Sequence, residues 1–161
     1  MCLFHLFRAI VIPILEFASV SWNCVNKTKS ALIESVQRTF ISVFHDWHIG
    51  ISTYYNYAHI PNKLGLPALS YRRNMKDLLF LHKVLHSAVD CPDILRSINI
   101  HAPSRILRAH LIFYVTSRSK LSPLIRLQTC LNTLQHDHDI VIFASFSAYS
   151  SSLKSIADVL P

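Results

Sequence analysis

Between residues 28 and 44 the apolar side chains Leu32, Ile33, Val36, Phe40 and Val43 recur at three- and four-residue steps. Lys29, Glu34, Gln37 and Arg38 alternate with them. That period predicts an amphipathic helix with those five residues on its buried face and Thr28 as its N-cap. A second run covers residues 69–86, with Leu69, Met75, Leu78, Leu79, Leu81 and Leu85 as its apolar set. Arg72, Lys76 and Lys83 share another face of it at i, i+4 and i+11, with Arg73 beside them. The preceding Leu64-Gly65-Leu66-Pro67 reads as the break into that helix.

Weaker patterns follow. Pro92 and Asp93 open a short helix through Ile98, residues 111–115 suit a short strand, and residues 124–134 and 147–159 suit two more short helices. Serines at 150–152 weaken the last one, because their hydroxyls compete for backbone bonds. No internal repeat is visible. An all-α, elongated or loosely packed arrangement is expected.

The amino-terminal stretch is oily, but its longest uninterrupted apolar run, residues 9–15, lies between Arg8 and Glu16 and contains Pro13. A spanning helix needs about 20 largely apolar residues, so no membrane association is expected from it. Arg8 and the small residues Ser19, Val20 and Ser21 allow a signal-peptide reading. The late charge and apolar start count against it, and a core helix is expected instead.

Composition narrows the function classes. The 161 residues make about one domain, and a 51% apolar, 16% charged chain is not disordered throughout. Only two glycines stand against seven prolines, which excludes a glycine-rich phosphate loop. The net charge of +7 is unevenly placed: residues 1–60 carry +1, residues 61–132 carry +8 and residues 133–161 carry −2. A basic middle points to a polyanion, nucleic acid or an anionic membrane surface, or else to ordinary solvated helix faces. Cysteines at 2, 24, 91 and 130 include no close pair, so they read as reduced thiols of an intracellular protein, nuclear or cytoplasmic and not secreted.

Candidate chemistry is sparse. His45-Asp46-Trp47-His48 and His136-Asp137-His138-Asp139 invite a metal reading, but neither supplies the three or four convergent ligands that zinc needs. There is no G-x-S-x-G elbow and no H-E-x-x-H pair. Cys91 lies beside Pro92 without a neighbouring base, and the near acidic pairs Asp90/Asp93 and Asp137/Asp139 fall in expected loops. No catalytic residue, metal, cofactor or small-molecule substrate is expected. Nucleic-acid binding keeps support from Arg72, Arg73, Lys76 and Lys83, and downstream from Arg105, Arg108, Arg118, Lys120 and Arg126. Tyr71, Phe113 and Tyr114 lie among them as stacking candidates, or else as core.

The order of the motifs carries a resemblance. Pro13-Ile14-Leu15-Glu16-Phe17-Ala18-Ser19 with Trp22 is similar to the "P-I-L-E-Y-A-S-x-x-W" segment of non-LTR retrotransposon reverse transcriptases, most narrowly the jockey-like elements of arthropods. Ile33-Glu34-Ser35-Val36-Gln37-Arg38 with Phe40 resembles the following "I-E-x-V-Q-R-x-F". Leu64, Leu66, Leu69, Arg72, Arg73 and Asp77 resemble "L-x-L-x-x-L-x-x-R-R-x-x-x-D". Val89 to Pro92, Pro103 to Arg108, then Pro123, Arg126, Asn132 and Leu134 ("P-x-x-R … N-x-L") continue in family order, and residues 139–149 resemble its close. The resemblance covers about residues 10–153. Tyr149 replaces the usual Phe, the segment 117–122 is shorter than the family's before the Pro123 motif, and serines 150–152 stand where basic residues are common, departures that fit a decayed copy or an odd gene model.

That resemblance implies an irregular multi-helix, thumb-like bundle over residues 1–90, then a loop-rich basic connector and carboxy-terminal helices over 91–161, together one incomplete domain. It implies a truncated, non-catalytic carboxy-terminal piece whose complete parent grips RNA or an RNA–DNA duplex and whose missing palm holds the catalytic metals. The chain has no adjacent pair of aspartates, and two-metal nucleotidyl transfer requires such carboxylates. The other expectation is a free-standing nucleic-acid- or protein-binding adaptor, a domesticated remnant.

Overall fold

The structure is a computed structural model and describes residues 2–49, 65–101, 111–115, 122–138 and 140–156. Among these the fold is all-α. Its elements are α1 (Cys2–Leu6), a π-helical turn (Phe7–Val11), α2 (Ile12–Glu16), α3 (Ser19–Trp22), α4 (Lys27–Ile49), α5 (Leu69–Leu85), α6 (Pro92–Arg96), α7 (Pro123–Asp137) and α8 (Phe146–Ser155). Two compact units are formed: Met1–Ser19 with Val25–Arg73, and Val20–Cys24 with Asn74–Pro161. No helix among the described residues is long and apolar enough to cross a membrane.

In the first unit Pro13 dictates the irregularity of the amino-terminal helix. Proline offers no N–H and its ring crowds the carbonyl four residues back. The chain absorbs this by widening one turn, so that the Ile12 N–H bonds the Phe7 carbonyl five residues back. Ala18, at φ +49°, then breaks the helix before α3. Phe7 and Ile12 are buried with Ile41 and Leu66, and the Phe7 ring stacks on Phe40 at 3.8 Å between centroids.

α4 forms where the period predicts it but turns a different face inward. Leu32, Val36 and Val43 are exposed, whereas Ile41, Phe44 and the polar Gln37 are buried. The cause is the start of α5, whose backbone groups need partners. The Glu34 carboxylate accepts the Leu69 N–H at 3.0 Å, and the Gln37 amide donates to the Pro67 carbonyl at 3.2 Å. The buried face lies roughly a quarter turn from the expected one on the helical wheel. The N-cap also differs: the Asn26 side chain accepts the Lys29 N–H at 2.9 Å, so the cap lies two residues before Thr28.

The second unit packs the end of α5 with α7 and α8. Leu78, Leu81, Leu131, Tyr149 and Leu153 form its most buried layer. α6 and α7 both open on a proline at the first helical position, where the missing N–H leaves nothing unsatisfied. α8 is capped by Ser145, whose hydroxyl accepts the Ala148 N–H. α5 stops in a Schellman motif: Ala88 N–H bonds the Lys83 carbonyl at 2.8 Å, Ser87 N–H bonds that of Val84 at 3.1 Å, and Ser87 takes φ +53°.

The expected strand at 111–115 is not formed. Phe113 makes only an isolated antiparallel bridge with Ile100, through Tyr114 N–H to Asn99 and His101 N–H to Ile112. Its own N–H and carbonyl are both taken by the Asn132 side chain, at 3.1 and 2.9 Å. A side chain of α7 thereby occupies the hydrogen bonds that a further strand would need.

Candidate nucleic-acid interface

The nine cations singled out from sequence do not share one environment. Arg73 is 1% exposed and donates to the Ser30 hydroxyl at 2.9 Å. Arg72 contacts the buried Glu16 carboxylate at 2.7 Å through Nε. Arg126 bonds Asp77 at 3.1 and 3.2 Å and the Val20 carbonyl at 2.7 Å. Each of these three arginines, expected on a phosphate-gripping face, also meets an acceptor of the protein itself. A planar, five-donor group is suited to that internal role when a buried carboxylate faces it.

Lys76 and Lys83 are exposed on α5, seven residues and about 10 Å apart along the helix. Arg105, Arg108, Arg118 and Lys120 lie outside the described residues. Of the expected stacking residues, Phe113 is core, Tyr71 is half-buried and Tyr114 is exposed.

Around Lys83 the structure assembles a cluster that the charge pattern did not reveal. The Lys83 ammonium sits 5.4 Å from the centre of the Phe146 ring. His86 stacks on His82 at 4.1 Å, and His82 stacks in turn on Tyr149 at 4.6 Å. The Nε2 atoms of His82 and His86 lie 3.0 and 3.2 Å from the carbonyls of Ala144 and Ile142, so each imidazole donates from Nε2. The only trace of this in sequence is the i, i+4 spacing of the two histidines on a helix. The turn they hold is 60 residues away, beyond any local signal.

Titration is perturbed in the interior between α7 and α8. Burial pushes the Cys130 thiol up to about 11, with the Asp77 charge adding and Arg126 opposing. The Tyr149 hydroxyl is pushed far above its ordinary value by burial, with Cys130 contributing. Both groups stay neutral and serve as packing.

A cavity of about 430 Å³ in the second unit is walled by Val20, Phe80, Ile94, Leu124 and Leu127, and its one charged residue, Asp93, lies 3.7 Å from Arg96. Among the described residues no three His, Cys, Asp or Glu side chains converge to hold a metal. His45 and His136 each lie beside the next residue's aspartate, at 3.7 and 3.0 Å. Asp139 and the His48 side chain lie outside the described residues. The four cysteines are free thiols.

No family model matches the chain, and no curated protein or solved structure matches it.

Proposed function

We propose that this chain is the thumb-like, post-palm region of a non-LTR retrotransposon reverse transcriptase, and that it grips RNA template or RNA–DNA duplex in the complete polymerase. One observation supports this above the rest: the polar residues of the resembling motifs meet one another. Glu16 of the first motif holds Arg72 of the third, Glu34 and Gln37 of the second hold the backbone of 66–69, and Asp77 of the third holds Arg126 of a later one. Buried polar groups of any fold find partners; what supports the reading is that the partners here are residues of the motifs themselves, 30–56 positions apart.

In this reading the chain works intracellularly, in nucleus or cytoplasm, without catalysis of its own, and the palm supplies the paired aspartates. Its grip falls on Lys76 and Lys83 and on the four basic residues outside the described set. Binding to an RNA–DNA hybrid should weaken linearly in log salt, by about 0.9 per phosphate contact. Replacing Lys76 and Lys83 together by Ala should lower that slope by up to about 1.8. Absence of hybrid binding at low salt overturns the reading, as does an upstream genomic sequence with no in-frame or damaged palm.

The second reading, a free-standing adaptor, is favoured by the exposed face of α4. Leu32, Val36, Val43 and Trp47 line up at i, i+4, i+11 and i+15, and Trp47 is 77% exposed. Such a stripe suits a protein partner, whether a palm or another chain. Salt-insensitive association with a protein, without hybrid binding, selects this reading.

A further inference from the structure

The turn between α7 and α8 shows an unusual division of side chains. Ile140 and Ile142 are buried, while Val141 and Phe143 project outward, with Phe143 63% exposed. An exposed phenylalanine on a mobile turn would need no explanation. This turn is fixed. The Ala144 N–H closes it onto the Val141 carbonyl at 3.2 Å, and the imidazoles of His82 on α5 and His86 just beyond it hold the Ala144 and Ile142 carbonyls. Phe143 stands 6.4 Å from the His86 ring, and Phe146, also exposed, carries the Lys83 ammonium.

The two segments that build this surface, residues 78–89 and 140–156, contain no acid, and Asp90 and Asp137 lie just outside them. The nearest carboxylate earlier on α5, Asp77, is buried against Arg126. A preordered aromatic platform beside a cation is complementary to a ligand with flat rings and an anionic chain. Duplex bases are already stacked on each other, so only an unpaired strand offers both faces of its rings. A lipid surface is the poorer fit, because anionic membranes are read by clusters of about 4–8 basic residues.

We infer that this surface binds single-stranded nucleic acid, with unpaired bases stacking on Phe143 and Phe146 and the adjoining phosphates meeting Lys83. The inference rests on the nucleic-acid reading above and assigns it a second, strand-selective contact.

The test is fluorescence anisotropy of the full chain with labelled dodecamers of oligo-dT and oligo-rU, in parallel with an RNA–DNA hybrid. Phe143→Ala, Phe146→Ala and Phe143→Trp are compared, each first confirmed as folded by its thermal transition. The alanine variants should lose about 5- to 100-fold in single-strand affinity and keep hybrid binding within about twofold, on the usual worth of one stacked base. Phe143→Trp should retain binding, and its indole emission should be quenched as the strand is added. Single-strand binding unchanged in both alanine variants overturns the inference. Hybrid binding without single-strand binding overturns it while leaving the duplex grip intact, and binding to neither overturns both. Phe143-dependent flotation with phosphatidylserine vesicles, with no effect on oligonucleotide binding, reassigns the surface to membrane and overturns it as well.

Discussion

Arg126 of α7 and Asp77 of α5, 49 residues apart, form a bridge at 3.1 Å in which the carboxylate is almost wholly buried. Asn23 adds a third member, donating to the same Asp77 oxygen at 2.8 Å and to Asn74 at 3.1 Å. Replacing Arg126 by Ala leaves that carboxylate buried without its cation, a change that costs about 3–5 kcal/mol. Chemical denaturation should show this loss for Arg126→Ala and a comparable one for Asp77→Ala. Under conditions where Arg126→Ala remains folded, the salt slope of nucleic-acid binding should be that of the wild type, because this guanidinium faces inward.

Glu34 caps a helix that begins 35 residues later. The first N–H groups of α5 lack partners within the helix, and the Glu34 carboxylate takes one of them at Leu69. Glu34→Ala should destabilise the first unit by about 1 kcal/mol, the usual worth of a cap. Glu34→Gln keeps an acceptor oxygen and should recover most of it. Equal losses in both variants would mean that charge rather than the hydrogen bond matters there.

Ser87 holds a left-handed conformation where most helices place glycine. Its Cβ is strained at φ +53°, and the Schellman bonds of Ser87 and Ala88 keep it there. Ser87→Gly should therefore raise stability by about 0.5–1 kcal/mol, with part of the relieved strain offset by the greater freedom of glycine in the unfolded chain. A lower melting temperature in this variant would contradict the assignment of the cap.

Cys130 should resist alkylation in the native protein. Its thiol is raised from 9.0 to about 11 by burial first and the Asp77 charge second. Only the thiolate attacks, so at pH 8 exposed Cys2 should react with iodoacetamide and Cys130 should not until the chain is unfolded. The stability sign follows from proton binding. The folded state holds this proton more tightly, so its contribution is whole below pH 9 and is lost as pH climbs toward 11. Rapid native labelling of Cys130 at pH 8 would contradict the burial described for it.

Much of the fold is legible without coordinates. The apolar periods of α4 and α5, and the prolines at 13, 67, 92 and 123, locate helices or their breaks, because proline acts locally through its own ring and missing N–H. The start of α7 at Pro123 and the short helix at Pro92 fall where expected. The failures are equally physical. Apolarity alone points to the wrong face of α4, because the partners of Glu34 and Gln37 are backbone groups 30–35 residues away.

The candidate site divides in the same manner. Charge counting locates the basic middle of the chain, and the structure adds that Arg72, Arg73 and Arg126 each meet an internal acceptor. A sequence records that a cation exists, not whether a carboxylate or hydroxyl from another helix will reach it. Lys76 and Lys83 remain at the surface, on the face that helical spacing gives them.

By itself, then, the sequence determined the helical class, the breaks, the uneven charge and the order of the motifs, all of which depend on neighbours within a turn or two. Tertiary structure alone decided which side of α4 is buried, which cations meet internal acceptors, and how His82 of α5 and His86 just beyond it hold a turn that presents Phe143. Those outcomes depend on hydrogen bonds and ring contacts between residues far apart in the chain, where a short directional contact overrides the weaker preference of any single segment.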